Sequence, residues 1–556
     1  MKFAFVIEDD IRFQEEISAA IIKADKEIQI RIFETLEQFF DWTKGVVNDT
    51  KQAFIKAGIT SQAHPNVQIK DEAHSLVLLV SKIEFFGSDQ IPLLKKLREL
   101  FIRKGLCTKE DPAAVVLTTF SDSPGFAIEK LEDKIITNVI CKPFDKLILE
   151  QHLIFAISGR HPPSVFSIAN QKVTAIIEML KDVQLEAMSE VGFVTRSYRK
   201  MEVGKIAKYY AEPFHSERKR SIIAVLVSCT THPSHQKEFR CVFRFLGPNH
   251  TQISQLRRLS RVDKDRQIPF DWLKFPLKTK VVDRKVEVIL IDRDQDSSDQ
   301  IKSILQRRFS NLTVHHFTEF TEFLGLLDPA LSKKEQPLQN PGGAAAQTNA
   351  PPTPPMVKSN KLRIPAHVDV ILTQHQLMDS SRFDLWVQIQ KKFTEKGQNP
   401  VYFCVSGTEF SDNDTKKMGE FVSDIFYRPY DRNYLAQRLI ASLPDLKVAE
   451  DAVDFPTIKM EKVIRTANPV KISEMSEAGL KLNYYREISP GSFRQFVLWQ
   501  PYEYGAPELV ASCNFSEPGP NKDFINHFVF FGVSDFYLRG IRLWLVENYV
   551  HSKNKS

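Results

Sequence analysis

Two hydrophobic rhythms divide the chain. In the first, short runs that are apolar throughout alternate with stretches whose apolar residues recur every three or four positions. The runs are KFAFVIE, IQIRIFE, SLVLLVSK, AAVVLTTF and ITNVICKP; between them lie RFQEEISAAIIKAD, TLEQFFDW, IPLLKKLRELFIRK, FAIEKLED and KLILEQHLIFAI. A strand apolar at every position is buried on both faces, so this pattern predicts a parallel sheet wrapped by helices. The order returns in VEVILID, DQIKSILQRRF, LTVHHF, VDVILTQ, WVQIQKKF, PVYFCVS and DIFYRP. The second rhythm uses short alternating segments such as LKLNYY, RQFVLWQ and NHFVFFG, separated by turn residues. It predicts two small antiparallel barrels, closed by the helices QISQLRRLSR and YLRGIRLWLVENYV.

The chain is written twice. Residues 188–204, MSEVGFVTRSYRKMEVG, and 475–491, MSEAGLKLNYYREISPG, agree at seven of seventeen positions without a gap. VICKPFD at 139–145 matches IFYRPYD at 425–431, VVLTTFSD at 115–122 matches YFCVSGTEFSD at 402–412, Gly247 matches Gly532, and Cys229 matches Cys513. One spacing held across five segments implies a duplicated unit of about 280 residues. The predicted domains are 1–160 and 284–446 (α/β) and 161–278 and 455–551 (all-β). The stretch 329–360, rich in Pro, Gly, Ala, Gln and Asn, reads as a flexible insertion, and a long loop at 45–73 takes the same place in the first copy.

Composition narrows the class of protein. Hydrophobic residues are 42% and charged residues 26%, as in ordinary globular chains. A net charge of +6 over 556 residues gives no basic stripe for nucleic acid. The six cysteines, at 107, 141, 229, 241, 404 and 513, form no CxxC pair and read as reduced thiols in a cytoplasm. The opening MKFAFVIEDD is too short an apolar stretch for a secretion signal, and no apolar run is long enough for membrane insertion.

The α/β parts resemble receiver domains of bacterial response regulators, flavodoxin-like doubly wound folds. In that family two acids after the first strand hold Mg²⁺, an Asp ending the third strand accepts a phosphoryl group, and a Thr or Ser and a Lys before Pro complete the site. Here Glu8, Asp9, Asp10, Thr118 and Lys142 fit in the first copy, and Asp292, Asp294, Ser406 and Arg428 in the second. The acceptor position falls on Val80, with Ser81 next, and on Gln374; Arg293 stands where a second metal-binding acid is expected. An acyl phosphate requires a carboxylate, so both read as pseudo-receivers, with Glu8, Asp9, Asp10 and Lys142 as a leftover ion cluster or a residual Mg²⁺ site. The resemblance further implies self-association through about 125–158 and 414–444.

The blocks MSEVG and MSEAG look like the heart of PilZ domains, whose second motif is Asp/Asn-x-Ser-x-x-Gly. Ser189 and Gly192 fit it in the first barrel, and Ser476 and Gly479 in the second; the acidic position is Ala187 and Glu474 respectively. The first motif, Arg-x-x-x-Arg ahead of the Ser, clamps cyclic di-GMP in that family. The first barrel offers only Arg160 and Lys172; the second offers Lys459, Lys462 and Arg465. Arg257 and Arg261 have the spacing but follow the Ser, and i, i+4 basic residues on a helix read as a solvated face. Tyr198-Arg199 and Tyr485-Arg486 recur in both copies, as a packing contact or a ligand site.

Cys229, His232, His235 and Cys241 form a set that zinc could use, but no histidines accompany the matching Cys513, so metal is set aside. No nucleophile triad or phosphate loop is present. The resemblances imply a non-enzymatic signal-transduction adaptor whose receiver-like domains mediate assembly and whose PilZ-like barrels engage a protein partner. The alternative is a cyclic di-GMP effector using Lys462, Arg465, Glu474, Ser476 and Gly479.

Overall fold

The computed structural model describes residues 2–45, 75–86, 90–120, 133–163, 166–167, 176–211, 214, 221–262, 266–268, 284–332, 363–375, 383–443, 446, 456–498 and 508–553. The loop at 45–73 and the insertion at 329–360 fall almost wholly outside them, as does Lys172.

The strands β1 (Lys2–Ile7), β2 (Gln29–Phe33), β3 (Ser75–Lys82), β4 (Ala114–Phe120) and β5 (Asn138–Lys142) form one parallel sheet in the order 2-1-3-4-5. That is the flavodoxin-like order. Helices α1 (Ile11–Ala24), α2 (Leu36–Gly45), α3 (Gln90–Arg103) and α4 (Lys146–Ser158) cover its two faces. Ala4 and Val6 meet Ile17, Ile21, Leu149 and Leu153 on one face. Phe3, Phe5 and Ile7 meet Phe39, Leu94, Leu97 and Phe101 on the other. Alternate residues of a wholly apolar strand thus feed two cores, as the sequence pattern predicts.

The next segment is antiparallel: β6 (Phe166–Ser167), β7 (Ile176–Ser189), β8 (Gly192–Ser197), β9 (Ile206–Tyr210), β10 (Ser221–Thr231), β11 (Phe239–Leu246), helix α5 (His250–Val262) and β12 (Gln267–Ile268). A second parallel sheet follows, from β13 (Val286–Ile291), β14 (Leu312–Phe317), β15 (Val370–Gln374), β16 (Val401–Ser406) and β17 (Asp424–Tyr427), in the order 14-13-15-16-17. Its helices are α6 (Gln295–Arg308), α7 (Phe320–Leu327), α8 (Phe383–Glu395), α9 (Asp412–Met418) and α10 (Arg432–Ser442). The chain ends in antiparallel strands β18 (Thr457–Met475), β19 (Gly479–Tyr484), β20 (Phe493–Val497), β21 (Glu508–Pro518) and β22 (Phe524–Phe531), then helix α11 (Asp535–Lys553).

Two compact units form, and they do not follow chain order. The first is residues 1–181 with 468–556; the second is 182–467. Both cuts fall inside long strands. β7 pairs with β20 through Glu178–Leu180 in the first unit and with β8 through Gln184–Met188 in the second. β18 pairs with β12 and β9 through Thr457–Ala467 in the second unit, and with β19 through Lys471–Met475 in the first. Each unit therefore joins the parallel sheet of one half of the chain to the antiparallel sheet of the other.

Candidate functional site

The acidic end of the first parallel sheet is occupied by the chain's own cations. Glu8 and Lys142, both almost fully buried, meet at 2.5 Å, and the Thr118 hydroxyl donates to the same Glu8 oxygen at 3.3 Å. Burial pushes the Glu8 carboxyl up, against the pull of Lys142. Lys82, at the end of β3, donates to both oxygens of Asp9 at 2.9 Å. Burial pulls the Asp9 carboxyl up, but the bonds from Lys82 and Glu8 hold it below its ordinary value. Asp10 caps α1, accepting the Arg12 N–H at 2.9 Å. Val80 is buried in register between Val6 and Val116, and the Ser81 hydroxyl is turned to the Lys82 carbonyl.

In the second parallel sheet one arginine does this work. The Arg428 guanidinium bonds Asp292 at 2.8 and 3.0 Å and Asp294 at 2.8 Å. Ser297 and Tyr430 close the ring, with Ser297 donating to Asp292 at 2.6 Å. Arg293 pairs outward with Glu319. Gln374 is buried and its amide oxygen has no partner among the described residues; the Ser406 hydroxyl donates to the Thr408 carbonyl at 2.7 Å. A hard cation takes its ligands from carboxylate oxygens, and here those oxygens already hold ammonium or guanidinium groups. These residues do not fit Mg²⁺.

A second recurring feature joins the parallel and antiparallel sheets inside each unit. In the first unit Asp145, the cap of α4, and Glu477 both accept from Arg542 of α11 at 2.8 Å. In the second, Asp431 and Glu190 accept from Arg257 of α5 at 2.9 and 2.8 Å. Burial pulls the Asp145 and Asp431 carboxyls up, but the guanidinium and helix N–H bonds outweigh it and hold both low. Arg257 is thus an anchor at this joint and not a solvated-face residue; Arg261 lies 3.8 Å from Glu190. Gly532 donates to the Val139 carbonyl at 3.0 Å, and Gly247 to the Asp424 carboxylate at 2.7 Å. Both glycines have positive φ, 66° and 57°, a conformation that side chains disfavour. Beneath them the apolar contact continues, with Val510 and Phe531 in the first parallel-sheet core and Val225 and Leu246 in the second. Each such buried side chain contributes roughly 1.5–3 kcal/mol, more than a half-exposed ion pair, so the apolar contact holds the joint and the ions fix its register. Among the described residues of the faces expected to serve self-association, some are used within each unit: Ile148 packs on Ala478 and Leu538, and β17 on β11, while Leu147 stays exposed.

The recurrent Ser-Glu-x-Gly block accounts for its own residues. The Ser189 hydroxyl bonds the Gly192 carbonyl and the Val191 N–H, and Ser476 bonds the Gly479 carbonyl and the N–H groups of Ala478 and Gly479. These buried hydroxyls shape a turn that aims Glu190 and Glu477 at the arginines. A Cβ at Gly479 would collide with the Phe528 carbonyl. Glu474 pairs with Lys481 at 2.7 Å. Lys459, Lys462 and Arg465 fall in the second unit, whereas Glu474, Ser476 and Gly479 fall in the first. Tyr198 and Tyr485 stand out in solvent, with Arg486 over the Tyr485 ring.

The second unit also holds a cavity of about 590 Å³ lined by Arg196, His232, His235, Arg240 and Lys459, with Glu186. His232 accepts the Ser234 N–H on Nδ1, so its Nε2 donates to Glu186 at 2.9 Å. Both ring nitrogens of His232 are thus taken up, and among the described residues no three His, Cys, Asp or Glu side chains converge on a metal position. The lysine at the end of β3 was legible only as a basic residue two places beyond the acceptor position. The cavity has no linear motif.

No family model and no curated protein matches the chain. Solved structures do. A signal receiver domain of an HD domain-containing protein from Pseudomonas fluorescens is 15% identical, covering 29% of this chain and 94% of its own, with a TM-score of 0.18. A response regulator receiver protein from Burkholderia phymatum is 16% identical, covering 29% and 99%, with a TM-score of 0.17. A two-component system response regulator/GGDEF domain protein is 10% identical, covering 79% and 99%, with a TM-score of 0.18. The flavodoxin-like assignment rests on the strand order and registers above. No helix among the described residues is long and apolar enough to cross a membrane.

Proposed function

We propose that the chain is a non-enzymatic bacterial signal-transduction adaptor of the cytoplasm, built from a duplicated pair of receiver-like and PilZ-like domains. The receiver-like domains serve assembly within the chain, and the PilZ-like barrels engage a protein partner. One observation carries this reading: both acidic pockets are filled by Lys82, Lys142 and Arg428, while the acceptor positions are Val80 and Gln374. A carboxylate nucleophile and a free cation seat are what phosphoryl transfer needs, and neither is provided. Incubation with labelled acetyl phosphate is expected to leave no acid-labile, hydroxylamine-sensitive label, and such a label overturns the reading.

The same residues weigh against the nucleotide reading. Ser189 and Ser476 spend their hydroxyls in turns, and Glu474 is paired with Lys481. Calorimetric titration of the full chain with cyclic di-GMP is expected to release no binding heat. Saturable heat that Arg465→Ala reduces favours the effector instead.

A further inference from the structure

Cys229 on β10 and Cys241 on β11 are direct partners in the antiparallel register, with their sulfurs 3.4 Å apart. A disulfide brings sulfurs to about 2.05 Å, and cross-strand partners already have their Cβ atoms close, so only a small side-chain movement separates the thiols from a bond. The two sulfurs are unlike. Cys241 is fully buried, and burial, then the Cys229 contact, pushes its thiol up. Cys229 is partly exposed, and the Met201 N–H points at its sulfur from 3.3 Å, a donor placed where charge builds during attack. Its counterpart Cys513 faces Phe528 across the register. Cys107 and Cys404 lie in separate cores, and Cys141 is buried against the Gly532 carbonyl.

We propose that Cys229 and Cys241 are a peroxide-sensitive dithiol, a modification site in the antiparallel sheet of the second unit. The Cys229 thiolate attacks one oxygen of a hydroperoxide; the S–O bond forms, the O–O bond breaks, and the other oxygen leaves as water (or an alcohol) after taking up a proton. The Cys241 sulfur then attacks the Cys229 sulfenic acid. The S–S bond forms, the S–O bond breaks, and the Cys241 proton leaves with the hydroxyl as a second water. Two thiols are oxidised and one peroxide is reduced. The bond staples β10 to β11 at the base of the hairpin that carries His232 and His235 into the cavity, because Thr230 and Arg240, next along the strands, line that cavity.

The test is a peptide map of the full-length protein, treated with stoichiometric hydrogen peroxide and then alkylated under denaturing conditions. A linked peptide containing Cys229 and Cys241 is expected, lighter by two hydrogens and restored by a thiol reductant, while the other four cysteines stay alkylated. In Cys241→Ser the reaction is expected to stop at a sulfenic acid on Cys229, captured by dimedone. Persistence of both free thiols under conditions that oxidise an exposed model thiol overturns the proposal, as does indiscriminate pairing among the six cysteines. If Cys241→Ser does not fold, the wild-type map decides alone.

Discussion

In the first unit the buried pair at the sheet-to-sheet joint is Asn138 with His152, 2.5 Å apart and uncharged, and the Asn138 amide also donates to the Phe530 carbonyl at 3.1 Å. In the second unit the corresponding positions, 286 residues on, hold Asp424 and Arg438, an ion pair with neither side chain exposed. Asp424 also accepts from Tyr434 at 2.8 Å and from the Gly247 and Ile425 N–H groups. A separate polar contact joins α9 to β9 and β10 in the same unit, with Asp412 bonded to Lys208 at 2.8 Å and to Ser221 at 2.9 Å. Two joints of one geometry thus carry different chemistry. A neutral pair needs only hydrogen bonds, whereas each member of a buried ion pair depends on the other to offset its desolvation.

That dependence sets the largest expected effect. Asp424→Ala leaves the Arg438 guanidinium buried without its counter-charge and is expected to cost about 3–5 kcal/mol. Asn138→Ala, which removes only neutral hydrogen bonds, is expected to cost about 1–3 kcal/mol. Urea unfolding of the two variants checks the difference. Equal losses would mean that the ionic joint is no more dependent on its partner than the neutral one.

The wholly apolar runs made the two parallel sheets legible, because burial on both faces leaves a pattern in the residues themselves. The MSE blocks were legible as a repeat, but their role was not: Glu190 and Glu477 were passed over in favour of the neighbouring serines, whose hydroxyls only shape the turn. Arg257 looked like one half of a solvated i, i+4 pair, since nothing local announces a carboxylate at position 431. The exchange of antiparallel sheets between halves was hidden for a different reason. β7 and β18 run on as unbroken strands through residues 181 and 467, and the local signals there, Asp182 and the Asn468-Pro469 pair, read as turns and say nothing of a strand that passes from one unit to the other.

Acid sharpens the comparison next. Burial lowers the His152 pKa to about 4. Its Nδ1 accepts from the Asn138 amide, so protonation breaks that bond. Between pH 6.5 and 4 the unfolded chain takes up a proton at this histidine that the folded unit refuses. Stability contributed at His152 is therefore complete above pH 6.5 and falls as pH drops through this window, by up to about 3 kcal/mol. The Asp424–Arg438 pair itself contains no histidine, and His250, which lines a pocket at the same joint with Ile425 and Tyr434, makes no bond to either member. Hydrogen exchange at pH 6.5 and 4.5 is expected to show earlier opening of β5 and α4 than of β17 and α10, and His152→Gln is expected to remove most of that difference. Equal acid sensitivity of the two joints, unchanged by the substitution, would contradict it.

The smallest effect lies in the two ion triads, which differ in depth more than in chemistry. The Glu190 side chain is 1% exposed and its Arg257 partner 22%, against 20% for Glu477 and 39% for Arg542. Burial raises the Glu190 carboxyl above its ordinary value despite Arg257, so part of its bond strength is spent on desolvation. The bond is still screened less by water than the one at Glu477. Glu190→Gln is expected to cost about 1–2 kcal/mol, the loss of one charge-assisted hydrogen bond. Glu477→Gln is expected to cost below about 1 kcal/mol, because solvent screens Arg542 and Asp145 still holds it. Denaturant midpoints of the two single variants, with raised salt narrowing the smaller loss further, decide the matter. A larger loss at Glu477 would mean that exposure does not rank these triads and that the tighter joint belongs to the unit with the neutral pair.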